Sequence, residues 1–301
     1  MGQSDLNLTD PESVIATLRA GTAASRTAPC RRLSTDYIEA PGRLIATGDL
    51  HDNPIHFAKL LHIAGMDDPS ESGGSPPPRG GETHLTLHEI IHSDRLLNGM
   101  DFSYRALTKA AALKVKFPSR VHILLGNHEL AQVTGAGIVK DGVRSVDAFN
   151  AGIEYVFGGA SDEVAAAIND FVRAMPIALR VHTPRGDILC AHSLPPAALM
   201  SRFDTTILSR ELADDDYQPR GAAHLMTWGR GYDAGGLEDL VERWGVWMFI
   251  LGHEKAEFGV KFVPPNAIIL NSDHERGVYL PIDLSYPPRP EEAVEEVVPL
   301  A

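Results

Sequence analysis

Four short apolar runs in this chain stop on residues that can bind a cation or move a proton. Residues 43–48 run into Asp49-Leu50-His51-Asp52-Asn53, and 121–125 into Gly126-Asn127-His128-Glu129. Residues 187–191 run into His192-Ser193, and 246–251 into Gly252-His253-Glu254. Asp49 and His51 are two apart, so on an extended backbone they share a face. Asn127 offers a neutral amide oxygen, and His192 and His253 offer imidazoles. No thiolate stands among these donors. A cysteine-type structural zinc cage is therefore disfavoured, and a catalytic Mn, Fe or Zn site fits the mixed oxygen and nitrogen set. A single His after a strand is most often a hydrogen-bonded structural residue. Four motifs in order, each at the end of an apolar run, point to metal-assisted hydrolysis.

Such placement requires an α/β sheet, which delivers side chains to the carboxyl edges of its strands. The pattern predicts strands near 43–48, 84–91, 120–125, 177–182, 186–191 and 246–251. Helices are expected near 54–64, 103–116, 160–174 and 236–243. Thr9-Asp10-Pro11-Glu12 is a helix start, with a cap, a proline and an acid. Residues 66–83 form a Gly- and Pro-rich inserted loop. The stretches 259–263, 267–270 and 277–282 alternate and are expected as successive antiparallel strands. The chain divides into an N-terminal helical extension (1–42), a catalytic domain (43–285) and an acidic, disordered tail (286–301).

Length and composition narrow the function. A chain of 301 residues with 44% hydrophobic content builds a full core. A net charge of −13 argues against a nucleic-acid backbone as partner. It leaves room for a phosphorylated substrate, because bound cations invert the local field. Two cysteines, Cys30 and Cys190, cannot make a disulfide framework. No apolar run approaches the roughly 20 residues of a membrane span, and no signal peptide is evident. A cytoplasmic protein without a membrane partner is expected.

With these motifs the chain resembles the calcineurin-like metallophosphoesterases, and among them the phosphoprotein phosphatases of bacterial Ser/Thr type. That group carries Gly-Asp-x-His-Gly, Gly-Asp-x-x-Asp-Arg-Gly, Gly-Asn-His-Glu, a His-Gly-Gly-like element and Gly-His. Asp49 and His51 match the first, Asn127 and His128 the third, and Gly252-His253 the last. Ala191-His192-Ser193-Leu194-Pro195-Pro196 is similar to the fourth. The likeness spans roughly 43–283. It implies an α/β fold built on a central β-sandwich of two mixed sheets flanked by helices, in four layers.

The second motif departs from the family. His88-Glu89-Ile90-Ile91-His92-Ser93-Asp94-Arg95 stands there. Aligned with the family, Glu89 takes the place of an Asp that bridges two cations, one methylene further out. His92 takes the place of an Asp that orients the catalytic histidine. The same stretch spells His-Glu-x-x-His, the zinc-peptidase signature. That motif works only on a helix, and the alternation of Thr83-His84-Leu85-Thr86-Leu87 reads as a strand.

The resemblance implies a dinuclear centre. One divalent cation is held by Asp49, His51 and Glu89, the other by Glu89, Asn127, His192 and His253. Mn, Fe and Zn are the candidates, with Mn first for assay. A hydroxide bridging the metals attacks a phosphate monoester directly, and His128 is the expected general acid for the leaving alkoxide. Arg230, in Trp228-Gly229-Arg230-Gly231-Tyr232, is the first choice for a phosphoryl clamp, and Arg95 the second. A phosphoprotein is the expected substrate. The alternatives are a nucleotide or dinucleoside-polyphosphate hydrolase and a catalytically weakened binding protein.

Overall fold

The computed structural model describes residues 6–67, 81–140 and 142–301. Most of the expected 66–83 loop lies outside the described residues. The first half of the chain runs α1 (Pro11–Thr27), β1 (Arg31–Arg32), β2 (Thr35–Glu39), β3 (Gly42–Thr47), α2 (Pro54–Ile63), β4 (Glu82–His88), α3 (Tyr104–Lys116), β5 (Val121–Leu124) and α4 (Asn127–Thr134). A small hairpin follows, β6 (Val139–Lys140) and β7 (Val143–Arg144), then α5 (Ser145–Phe157) and α6 (Ser161–Val172). The second half carries β8 (Ala178–His182), β9 (Asp187–Ala191), α7 (Asp214–Tyr217), α8 (Ala222–Trp228), α9 (Ala234–Trp244), β10 (Val246–Leu251), β11 (Val260–Val263), β12 (Ala267–Leu270), β13 (Val278–Asp283), α10 (Pro290–Ala293) and β14 (Val298–Pro299).

Two mixed sheets result. One is seven-stranded, in the order β1-β2-β8-β9-β10-β12-β11; the other is five-stranded, in the order β14-β13-β3-β4-β5. Strands β3, β4 and β5 are parallel, as are β9, β10 and β12. The period of two explains how the sheets pack. Leu44 and Ala46 of β3, Ile188 and Cys190 of β9, and Met248 and Ile250 of β10 belong to one buried cluster between the sheets. Their neighbours Ile45, Leu189, Ala191, Phe249 and Leu251 belong to a second, larger cluster with the helices. Each strand is thus apolar on both faces, which is why these stretches read as unbroken hydrophobic runs. The sandwich with flanking helices is the architecture that the resemblance implied.

Three expectations change. Among the described residues of the segment 1–42 the helix covers Pro11–Thr27, capped by the Asp10 side chain on Ser13 N at 3.0 Å; β2 then joins the seven-stranded sheet in parallel with β8. The tail expected to be disordered is folded. Strand β14 pairs with β13, and Ala293 and Leu300 are buried. Its Pro and Glu content masked these two apolar residues, Ala293 in the cluster between the sheets and Leu300 in the larger one. Strands β11 and β12 form an antiparallel pair as expected, but β13 crosses to the five-stranded sheet beside β3.

Candidate metal centre

The parallel strands leave their carboxyl ends side by side. Asp49 bridges His88 on one side and Asn271 on the other. Gly48 approaches the Leu270 carbonyl so closely that no side chain fits there. The loop after β4 is hung on this edge, with Leu50 N and His51 N both donating to Glu89 O, at 3.2 and 2.8 Å. His51, Glu89, His92 and His253 all have positive φ, +41°, +49°, +62° and +65°. Non-glycine residues take that region at a cost, and clusters of them gather where function demands it. A helix over 88–92 is absent, since β4 ends at His88. The His-Glu-x-x-His stretch thus follows a strand, as its alternation predicts, and lacks the helix that a zinc peptidase needs.

Glu89 lies at the centre. Its Oε1 is 2.9 Å from His51 Nε2 and 3.2 Å from His128 Nε2; its Oε2 is 2.9 Å from His192 Nε2. Despite that closeness Oε2 is buried without a hydrogen bond, as are His51 Nδ1 and His253 Nε2. Asn127 Oδ1 lies 2.8 Å from His192 Nε2 and 3.2 Å from His253 Nδ1. Two donor groups share Glu89. In one, ligand atoms of His51, Glu89 and His128 lie within 4.8 Å of one another; in the other, those of Glu89, His192 and His253 do. Asp49 is turned differently. Both its oxygens accept from His253 N at 3.0 Å, and it groups with His88 and His192. Orphaned buried donors around one carboxylate suit a divalent cation in their chemistry.

The charges of this site are out of balance. Burial lifts the Asp49 carboxyl, and Glu89 lifts it further, to about 7. Burial also opposes charge on Glu89, but His51, His128 and His192 outweigh it and hold that carboxyl well below its usual range. Burial pulls His51 down, yet Glu89 and Asp49 push it up to about 10. His192 rises for the same reasons. Burial prevails at His128 (about 3), His92 and His88 (about 4) and His253 (about 2). The two carboxylates thus favour positive charge in the pocket around them.

Arg230 is exposed and lines a cavity of about 740 Å³ together with Asp49, His51 and His253. Its segment is pinned on both sides: Ser193 Oγ donates to Gly229 O at 2.7 Å, and Gly231 N donates to Glu254 Oε1 at 3.0 Å. Arg95 is placed elsewhere. Its Nη2 donates to the carbonyls of His51 and Asp52, and it borders a separate cavity.

Two contributors escaped the sequence reading. His88, the residue before Glu89, is buried against His192, with Nδ1 3.1 Å from Nδ1. Gly252 faces it, and any side chain there would strike the His88 ring and Asp49. Glu129 accepts from Ile90 N at 2.7 Å and Ile91 N at 3.2 Å, fixing the loop that presents Glu89. Both residues sit inside motifs that were visible, but their partners are far off in sequence.

Residues 42–256 match the family model of the calcineurin-like phosphoesterases. A search of curated proteins found no match. Among solved structures the chain is similar to a protein serine/threonine phosphatase from Saccharomyces cerevisiae with similarity to human phosphatase PP5. Identity is 14% and the TM-score 0.64, over 91% of this chain and 83% of that one. It is also similar to the cold-active protein-tyrosine phosphatase of a psychrophilic Shewanella species. There identity is 15% and the TM-score 0.58, over 84% and 78%. At these identities the likeness is one of fold. Among the described residues no helix is long and apolar enough to cross a membrane.

Proposed function

The chain belongs to the calcineurin-like phosphoesterase family, and on that premise we propose that it hydrolyses phosphate monoesters with two divalent cations, phosphoserine and phosphothreonine of proteins being the first substrates to test. The observation that carries this reading is the sharing of Glu89 between two groups of three donors. Two divalent cations held there would supply Lewis-acid polarisation of a phosphoryl oxygen and would acidify water.

The chain's own residues do the rest. Glu89, Asn127, His192 and His253 would hold one cation; Asp49, His51 and Glu89 would hold the other, as the family resemblance implies. Asp49, tied to His253 N, couples the turn after β3 to the turn after β10. Arg230 reaches into the same cavity as Asp49, His51 and His253, and its planar fork suits two oxygens of a phosphoryl group. Arg95 acts through His51, because its guanidinium ties down the carbonyls of that turn. The cavity rim carries both signs, with Lys255 and Arg276 near Glu257 and Glu275. An open rim of mixed charge supports an extended polypeptide carrying the phosphate.

The protein depleted of metal and reloaded with Mn²⁺ should hydrolyse p-nitrophenyl phosphate, and EDTA should abolish that activity. Arg230→Ala should weaken inhibition by inorganic phosphate without changing metal content. Activity that survives EDTA in protein shown to be metal-free would sink the reading. Phosphopeptides tested beside dinucleoside polyphosphates decide the substrate class.

A further inference from the structure

Residues 49–52 alternate between two cavities. Asp49 and His51 line the one that Arg230 borders. Leu50 and Asp52 turn the other way and line a second, of about 580 Å³, a size that holds one small organic ligand. It lies between Phe57 and Leu61 of α2 and Arg105 and Lys109 of α3, beside the loop that follows β4. Leu50, Leu61 and Ile90 among its walls are only 1%, 5% and 1% exposed, so the cavity reaches into the core. Leu97, 61% exposed, sets its mouth.

The charge of this cavity runs against that of the chain. Arg95, Arg105 and Lys109 line it together with a single acid, Asp52, in a protein of net charge −13. Arg105 and Lys109 stand four apart on α3 and so share a helical face. The Arg105 guanidinium lies over the Phe102 ring, 5.1 Å from its centroid, and Lys109 is exposed. Arg95 gives Nη2 to the backbone carbonyls of His51 and Asp52, which neutralises none of its charge.

These two features together choose the occupant. Three cations call for an anion, and a guanidinium fork fits a carboxylate. The buried walls, by contrast, are apolar carbon. A polypeptide would set backbone N–H and C=O groups against them without partners, at a cost. An alkyl chain brings no such groups. We propose that this cavity binds a small amphipathic anion, an alkyl carboxylate, with its chain against Leu50, Leu61 and Ile90 and its head among Arg95, Arg105 and Lys109. The site needs no metal, because the chain's own cations hold the head, and it stands apart from the phosphoesterase reading.

Calorimetric titration of the full chain with octanoate, decanoate and dodecanoate, each below its micelle concentration, should give one site per chain. Kd should fall by about tenfold for each added pair of methylenes. Dodecyltrimethylammonium, with the same chain and the opposite head, should bind at least about tenfold more weakly than dodecanoate. The double variant Arg105→Gln, Lys109→Gln should weaken dodecanoate by about tenfold or more. Binding should survive EDTA, and its loss on metal removal would put the carboxylate on the cations of the other cavity and overturn the proposal. Lack of a saturable site for dodecanoate, equal affinity for the cationic amphiphile or undiminished affinity in the double variant would overturn it too. So would tighter binding of an acidic, leucine-containing peptide, which would give the cavity to a polypeptide. If the double variant does not fold, the comparison of head groups on the parent still decides.

Discussion

Strand β4 carries two histidines, His84 and His88, on one face and four residues apart, and they serve opposite kinds of buried polar cluster. His84 contacts His122 at 3.3 Å, and His122 contacts Asp36 Oδ2 at 2.8 Å. Asp36 also receives Arg31 Nε at 2.6 Å and lies 3.6 Å from Lys114 Nζ. Lys114 donates in addition to Pro118 O and Val121 O, at 2.8 and 2.7 Å. That cluster brings its own cations. Although Cys30, Asp36 and His122 could be grouped as metal donors, two fixed positive charges already occupy the space around Asp36. At the other end of the strand, Glu89 and Asp49 meet imidazoles and the His253 backbone N–H, and three polar atoms of Glu89, His51 and His253 stay unpartnered, against one, Arg31 Nη2, in the first cluster. Strained backbone marks the second cluster, whereas Arg31, Asp36, His84, Lys114 and His122 all have ordinary φ. A buried polar group that is satisfied internally holds a fold together; one that is left short of charge waits for a ligand.

The sharpest way to break this contrast is at Glu89. Glu89→Ala should lose both cations and all phosphatase activity, while Glu89→Asp keeps part of each. Elemental analysis checks it: two metals retained in Glu89→Ala would show that Glu89 is not the shared ligand. The counterpart is Lys114→Met, which strips the closed cluster of a cation and leaves Asp36 under-compensated. It should cost about 3–5 kcal/mol in denaturant unfolding and leave Co²⁺ affinity unchanged. A loss of metal in that variant would erase the distinction between the clusters.

A smaller effect sharpens the comparison by pH. Burial, then His122, push His84 down to about 3, and burial lowers His122 as well. A histidine depressed in the fold stays neutral while the unfolded chain takes up a proton. Its stabilisation is therefore complete above about 6.5 and declines as pH falls toward about 3, by a few kcal/mol. Burial lifts Asp36, but His122, Lys114 and Arg31 outweigh it and hold the carboxyl below its usual range, so it adds a further loss only below about pH 4. Stability of the EDTA-treated protein should fall steadily over that acid range. His84→Gln, which removes one titrating group, should flatten the upper part of the curve; an unchanged slope would show that His84 is not depressed.

Much of the fold was legible because strand ends and motifs coincide. Residues 188–191 and 246–251 are apolar on both faces and run into the His192 and Gly252-His253 motifs, and each proved to be a buried strand, the two paired in parallel. The tail was misjudged because Pro and Glu dominate its composition, while its fold rests on Ala293 and Leu300. The loop after β4 was harder. His-Glu-x-x-His is compatible with a helix by spelling and with a strand end by context, and only the path of β4 decides.

The sequence by itself determined which residues could bind a cation, and roughly where each strand would release them, because residue type and a period of two are local properties. What tertiary structure alone decided is how they meet. The contacts of Glu89 with His192, of Asp49 with His253 N and of His92 with His128 join strands that are 36 to 204 residues apart in the chain. Which nitrogen of a histidine holds its proton depends on the atom across from it. That atom is brought by another strand, so no spacing in the sequence could name it.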